Sequence, residues 1–244
     1  MKPILIASPR TGSTIIGKQI SNLAEQWWGY KNYLYEYLSI GKFFKSQAVI
    51  VDGVLHNKII GPTTEFWTDP EQERLHRVKL LGNDYNYMIK LMPFNFDSWT
   101  VDWVKNNWNP VFLERRNKLD QLLSYLAFRT SNISHYAKES TAVVDEIYYK
   151  WEWAIDFFNE LAQYNKIKAQ LAGTTIYYED WLDTGADQQA IIKLLNWPCR
   201  EYTPMPDMGK LTPYTNIPEY LIRNKTDWNL DKSVIISRLD GIHL

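Results

Sequence analysis

The sequence predicts a three-layer α/β fold, a mostly parallel central sheet flanked by helices, and three observations carry that expectation. Short apolar runs alternate with helix-spaced stretches along the chain, the order that parallel sheets with crossover helices require. The first run, PILIA at 3–7, passes through a Gly-containing loop straight into an apolar-periodic segment. Three polar turns, SPRTGST, ERRN and YYEDW, each follow an apolar strand candidate, so they can meet at the carboxyl edge of one sheet, where such folds bind ligands.

Taken in order, PILIAS reads as a buried strand and 13–28 as the helix after it. AVIVDGV at 48–54 and YMIKLMP at 87–93 are further strand candidates. Between them PEQERLHRVKLL reads as a helix opened by Asp69 and Pro70, since proline suits the first helical position. NPVFLER at 109–115 is the next strand. It leads into NKLDQLLSYLAFRTS, whose Leu119, Leu122, Leu123 and Leu126 form one apolar helix face. The stretch from Ser140 to Gly173 predicts a single long helix, capped by Ser140 or Thr141 and stopped at the glycine. TTIYY is a strand, and DQQAIIKLLNW a helix ended by Pro198. Residues 198–220 hold five prolines and little periodicity, which predicts a long loop able to close over a site.

The 244 residues suit one domain, 1–244. Lys and Arg number 27 against 28 Asp and Glu, so no general basic field for nucleic acid or anionic lipid exists and any anion site must be local. The lone Cys199 excludes an internal disulfide and a multi-cysteine metal site, and fits a reducing compartment. The opening apolar stretch is too short for a signal-peptide core and no later run approaches a membrane span, so the expectation is a soluble, cytoplasmic protein. His56, His76, His135 and His243 show no metal-ligand spacing.

Two phosphate-binding patterns overlap at 8–19. GSTIIGK fits the first part of GxxxxGK[ST], with Gly12, Gly17 and Lys18, but Gln19 stands where the magnesium-holding hydroxyl belongs. The alternative puts the anion on PRTGST. There the amides of residues 11–14 face a ligand at a helix N-terminus, Gly12 allows close backbone approach, Ser13 and Thr14 add hydroxyls, and Arg10 adds charge. An ordinary turn with a Ser or Thr cap accounts for the same residues. A second element lies downstream: Arg116 precedes Ser124 by eight residues. That is about 12 Å of helix, so both reach one phosphate only if Arg116 sits at the strand-to-helix turn.

PRTGST followed by RNKLDQLLSY resembles the sulfotransferases that use 3′-phosphoadenosine 5′-phosphosulfate. In that family a P-[KR]-[ST]-G-[ST]-[ST] loop after the first strand holds the 5′-phosphosulfate end, and an Arg eight residues before a Ser holds the 3′-phosphate. TIYYEDW is similar to the family's strand ending in YED, and GKLTPY, with Lys210, falls where members close over the cofactor. The loop is nearer to that of carbohydrate and bacterial members than to that of cytosolic phenol and steroid enzymes.

The resemblance implies a P-loop-like fold and in-line sulfuryl transfer to a hydroxyl or amine, leaving adenosine 3′,5′-bisphosphate. It implies cofactor contacts from Arg10, Thr11, Gly12, Ser13, Thr14, Arg116, Ser124 and Lys210, and no metal. The strand histidine that serves cytosolic members as base is replaced: IKLMP has Leu91 there. Glu36 in YLYEYLS stands where relatives carry a Glu base, and Lys90 is placed to touch the transferring group. The acceptor class suggested is a carbohydrate or glycolipid. A nucleoside or sugar kinase using GSTIIGK with ATP and magnesium, and a non-catalytic nucleotide-binding module, are the competing expectations.

Overall fold

The computed structural model describes residues 2–13, 16, 38, 45–51, 54–60, 70–81, 89–131, 146–183 and 219–242. In chain order the elements are β1 (Lys2–Ala7), β2 (Lys45–Val51), β3 (Val54–Ile60), α1 (Pro70–Leu81), β4 (Lys90–Leu91), α2 (Thr100–Asn107), β5 (Trp108–Glu114), α3 (Lys118–Ser131), α4 (Trp151–Gln170), β6 (Thr174–Tyr177), α5 (Tyr178–Asp183) and α6 (Lys225–Gly241). Short 3-10 turns at Pro93–Asn95 and Glu219–Leu221 complete the set.

Four strands form an all-parallel sheet in the order β4-β1-β5-β6. A parallel strand covered on both sides has no polar face, which is why β1 and β5 are near-continuous apolar runs. Side chains still alternate between faces with a period of two. Ile4 and Ile6 join Trp108 and Phe112 on one face, against Val104 of α2 and Tyr164 and Ile167 of α4. Leu5 and Ala7 join Val111, Leu113 and Ile176 on the other, under Ile16, Tyr178 and Trp181. A third cluster unites α3, α4 and α6 through Leu122, Leu126, Phe157, Trp228 and Ile235. The chain passes from β1 to its neighbour β4 on one side and from β5 to its neighbour β6 on the other, so connections diverge between the carboxyl ends of β1 and β5, a position where open α/β sheets hold ligands.

The alternation of strands and helices read from the sequence therefore yields an α/β fold with a parallel sheet. Strands at 2–7 and 108–114 and helices at 70–81 and 118–131 fall within a residue or so of expectation. Two expectations need correction. The run at 48–54 is not one strand of the main sheet. Its residues 48–51 end β2, and Val54 begins β3 in a separate antiparallel pair with Val51 opposite Val54. The two intervening residues, Asp52 and Gly53, are a dipeptide that two-residue hairpins favour.

Nor does one helix fill 140–173. α4 starts at Trp151, because residues 146–150 are extended and tied to the C-terminal segment. The Ile147 amide donates to the Leu221 carbonyl at 2.9 Å, and the Arg223 amide returns the bond to Ile147 at 2.9 Å. Asn224 then accepts from the Tyr149 amide at 2.9 Å and donates to its carbonyl at 2.6 Å. These bonds replace the ones a helix would make. At the other end α4 stops at Gln170, with Leu171 donating back to Ile167, so Gly173 only precedes β6. Ser140, Thr141, Asp69, the predicted helix at 187–197 and the proline-rich stretch up to 218 lie outside the described residues. Among the described residues no helix is long and apolar enough to cross a membrane.

Candidate functional site

The β1–helix loop takes its shape from two residues with left-handed backbone. Arg10 has φ 61° and Gly12 φ 74°, while Thr11 between them does not share that sign. Positive φ at alternating positions is the backbone pattern from which concave anion cradles, called nests, are built. The Thr11 hydroxyl donates to the Ser8 carbonyl at 2.9 Å and closes the turn. Ser13 is already helical, and the Ile16 amide donates to the Gly12 carbonyl at 3.1 Å, so the cradle opens onto a helix N-terminus. Glycine is required at position 12 for a second reason. A Cβ there would lie 2.2 Å from the Tyr178 ring.

α3 grips this loop by two side chains one helical turn apart. Gln121, fully buried, donates from Nε2 to the Pro9 carbonyl at 2.6 Å and to the Ser8 hydroxyl at 3.0 Å. Ser124, also buried, accepts from Arg10 Nε at 3.2 Å. The Arg10 guanidinium lies 5.5 Å from the Phe128 ring centroid, on the next turn of α3. From the opposite neighbour, β4 sends in Lys90, which is buried on the Leu5 and Ala7 face. Its Nζ donates to the Ser13 hydroxyl at 3.4 Å. Two cations thus sit at the loop, Arg10 within it and Lys90 from β4.

The β5–α3 turn is the second basic element. Asn117 caps α3, its Oδ1 accepting from the Asp120 amide at 3.0 Å. Arg115 is buried, 3.6 Å from Asp120 and 4.0 Å from Glu179, with its guanidinium 5.3 Å from the Tyr178 ring centroid. Burial pulls its pKa down, and it pulls that of the adjacent buried Lys118 down as well. Burial pushes the Tyr178 hydroxyl up, opposed by Arg115. Arg116 is half exposed and bound bidentately by Asp180, with Nη2 2.6 Å from Oδ2 and a shorter Nη1–Oδ1 contact. It also stacks at 4.1 Å on Tyr177.

The structure therefore brings Arg10, Thr11, Gly12, Ser13, Lys90 and Ser124 together at the ends of β1 and β4. Arg116 lies at the strand-to-helix turn that its spacing from Ser124 demands, but Ser124 is met by Arg10, and Arg116 by Asp180. Thr14, Glu36, Lys210 and Lys18 lie outside the described residues. Leu38, two residues after Glu36, is buried beside Leu91, and its carbonyl accepts from Asn95 Nδ2 at 3.2 Å just past β4. Gln121 was not legible as a loop anchor; its only signal is its place one turn before Ser124. Glu179 and Asp180 lie in the first turn of α5, where carboxylates favour the helix dipole. Their contacts to Arg116 carried no local signal. No protein-family model matches the chain, and no curated protein matches it closely enough to indicate a family.

Proposed function

We propose that the protein is a sulfotransferase that moves a sulfuryl group from 3′-phosphoadenosine 5′-phosphosulfate to a hydroxyl or amine acceptor of carbohydrate type, on a three-layer P-loop-like fold. One observation carries the reading: the PRTGST loop and the Arg116–Ser124 element stand at the carboxyl ends of two hydrogen-bonded strands, joined by the Arg10–Ser124 hydrogen bond of 3.2 Å. Two anion-recognising turns side by side suit a ligand with phosphates at both ends of one nucleoside. The donors present fit that ligand: a nest on a helix N-terminus, two buried or half-buried cations beside it, and a third cation with a stacked tyrosine on the neighbouring turn.

When bound, the cofactor supplies an activated sulfuryl group whose transfer leaves adenosine 3′,5′-bisphosphate. The chain's own residues do the rest. Arg10 and the amides of residues 11–14 would hold the 5′ end and neutralise charge developing on the bridging phosphate oxygen, since donors already aimed at that charge stabilise the transition state. Lys90, whose Nζ donates to the Ser13 hydroxyl, would reach the transferring group from β4. Arg116 and Ser124 would hold the 3′-phosphate, and by the family resemblance Lys210 would contact the nucleotide and Glu36 would take the acceptor proton.

Turnover tests this. With the sulfated cofactor, EDTA present, and a panel of sugars, alcohols and amines, release of adenosine 3′,5′-bisphosphate should depend on the acceptor. Glu36→Gln should lose that release while retaining cofactor. Phosphate transfer from ATP that requires magnesium would overturn the proposal.

A further inference from the structure

The two carboxylates that open α5 occupy both anion-recognising groups of the β5–α3 turn. Glu179 takes the backbone, accepting from the Arg116 amide at 3.0 Å with each of its oxygens and from the Asn117 amide at 3.2 Å. Asp180 takes the side chain, engaging both terminal nitrogens of Arg116. The two grips differ in kind. Glu179 is about three-quarters buried and lies within 4.0 Å of the buried Arg115, so it is part of how the turn is built. Asp180 and Arg116 are 49% and 50% exposed, which leaves their pair open to exchange with a solvent-borne anion. Fork-to-fork pairing of guanidinium and carboxylate reproduces the geometry with which arginine receives a phosphate.

On the sulfotransferase reading above, we propose that Asp180 is an internal competitor for the 3′-phosphate: it holds the Arg116 guanidinium by the nitrogens the phosphate needs, and so sets the affinity and selectivity of that subsite. Glu179 positions the turn and stays in place when ligand binds. Tyr177 supports either arrangement, since its ring centroid lies 4.1 Å from the guanidinium carbon while the terminal nitrogens engage the anion. Removing the Asp180 charge frees the Arg116 guanidinium. That tightens binding of a ligand that carries a 3′-phosphate and leaves one that lacks it unchanged.

The experiment is a calorimetric titration of wild type, Asp180→Asn, Arg116→Ala and the double variant with adenosine 3′,5′-bisphosphate and with AMP, at low and at moderate salt. Asp180→Asn should bind the bisphosphate about two- to fivefold more tightly, the span expected for releasing one exposed ion pair. The gain should shrink as salt rises. It should be absent for AMP, and absent in the Arg116→Ala background. Equal or weaker bisphosphate binding by Asp180→Asn would overturn the proposal, because Asp180 would then be orienting Arg116 for the ligand. So would a gain that persists without Arg116 or extends to AMP. If wild type binds neither nucleotide, the cofactor reading itself fails, a result separable from the others because it needs no variant. Melting curves of each variant exclude loss of fold as the cause.

Discussion

Gly12→Ala is expected to destabilise the protein by about 2–6 kcal/mol and, on the proposed function, to abolish nucleotide binding at the loop after β1. Two independent costs add. A non-glycine residue held at φ 74° carries about 1–3 kcal/mol of backbone strain. The new Cβ would also stand 2.2 and 2.3 Å from two carbons of the Tyr178 ring, and overpacking of that order costs about 1–3 kcal/mol. Tyr178 cannot simply swing away. It is buried in the cluster with Leu5, Ala7 and Ile176, and its ring faces Arg115. Urea denaturation checks the total, and a cycle with Tyr178→Ala separates the parts. In that background the Gly12→Ala cost should fall to the strain alone. A cost below about 0.5 kcal/mol in the wild-type background would mean that the loop does not have this shape.

The second large effect is pH-dependent and lies away from the loop. Glu160 on α4 faces α3, with Oε1 3.5 Å from the Tyr125 hydroxyl. The cation that acts on it, Arg129, already donates to Tyr125 at 3.1 Å and to Asp156 at 3.1 Å. Burial therefore dominates and pushes the Glu160 carboxyl up to about 7, with the Asp156 charge adding to it. Burial raises the Tyr125 hydroxyl as well, to about 12. A raised carboxyl means the native state binds more protons than the unfolded state between the two pKa values. Stability from this group is thus present at low pH and falls as pH rises from the ordinary carboxylate range toward 7. Glu160→Gln keeps the shape and removes the ionisation. The variant should match wild type near pH 4 and exceed it by about 3 kcal/mol at pH 8, a difference of roughly 6–12 °C in Tm for a chain this size. A difference that does not change with pH would show that Glu160 is not held in its neutral form.

What could be read from the sequence follows from how local each signal is. β1 and β5 were legible because a strand buried on both faces must be apolar throughout, and α3 because Leu119, Leu122, Leu123 and Leu126 recur at helical spacing. The Arg10 and Gly12 conformations were legible as a loop, since glycine between a strand and a helix marks backbone that other residues resist. The β2–β3 pair is hard to read from sequence because the Asp52-Gly53 dipeptide falls inside the apolar run at 48–54. The start of α4 was lost because helix propensity continues smoothly upstream of Trp151, and what ends it is a bridge to Ile222, 75 residues away by way of Asn224 and Tyr149. The same holds in the site. Arg116 could be placed at a turn from its neighbours, yet its partner Asp180 is 64 residues distant, and Gln121 meets Ser8 across 113. Such pairings come from the strand order, which brings β5 between β1 and β6, and no short window of sequence contains it.

The central claim is that the two turns at the ends of β1 and β5 hold one nucleotide bisphosphate. Its most direct test is the thermal stabilisation of wild type and Arg116→Ala by adenosine 3′,5′-bisphosphate, beside AMP and ATP with magnesium. At 100 times its Kd a ligand that binds only the native state adds about 2.7 kcal/mol, well within what a melting curve resolves. The expected result is stabilisation by the bisphosphate above that by AMP, lost in Arg116→Ala. Stabilisation by ATP with magnesium alone, unchanged by Arg116→Ala, would contradict it and assign the loop to GSTIIGK.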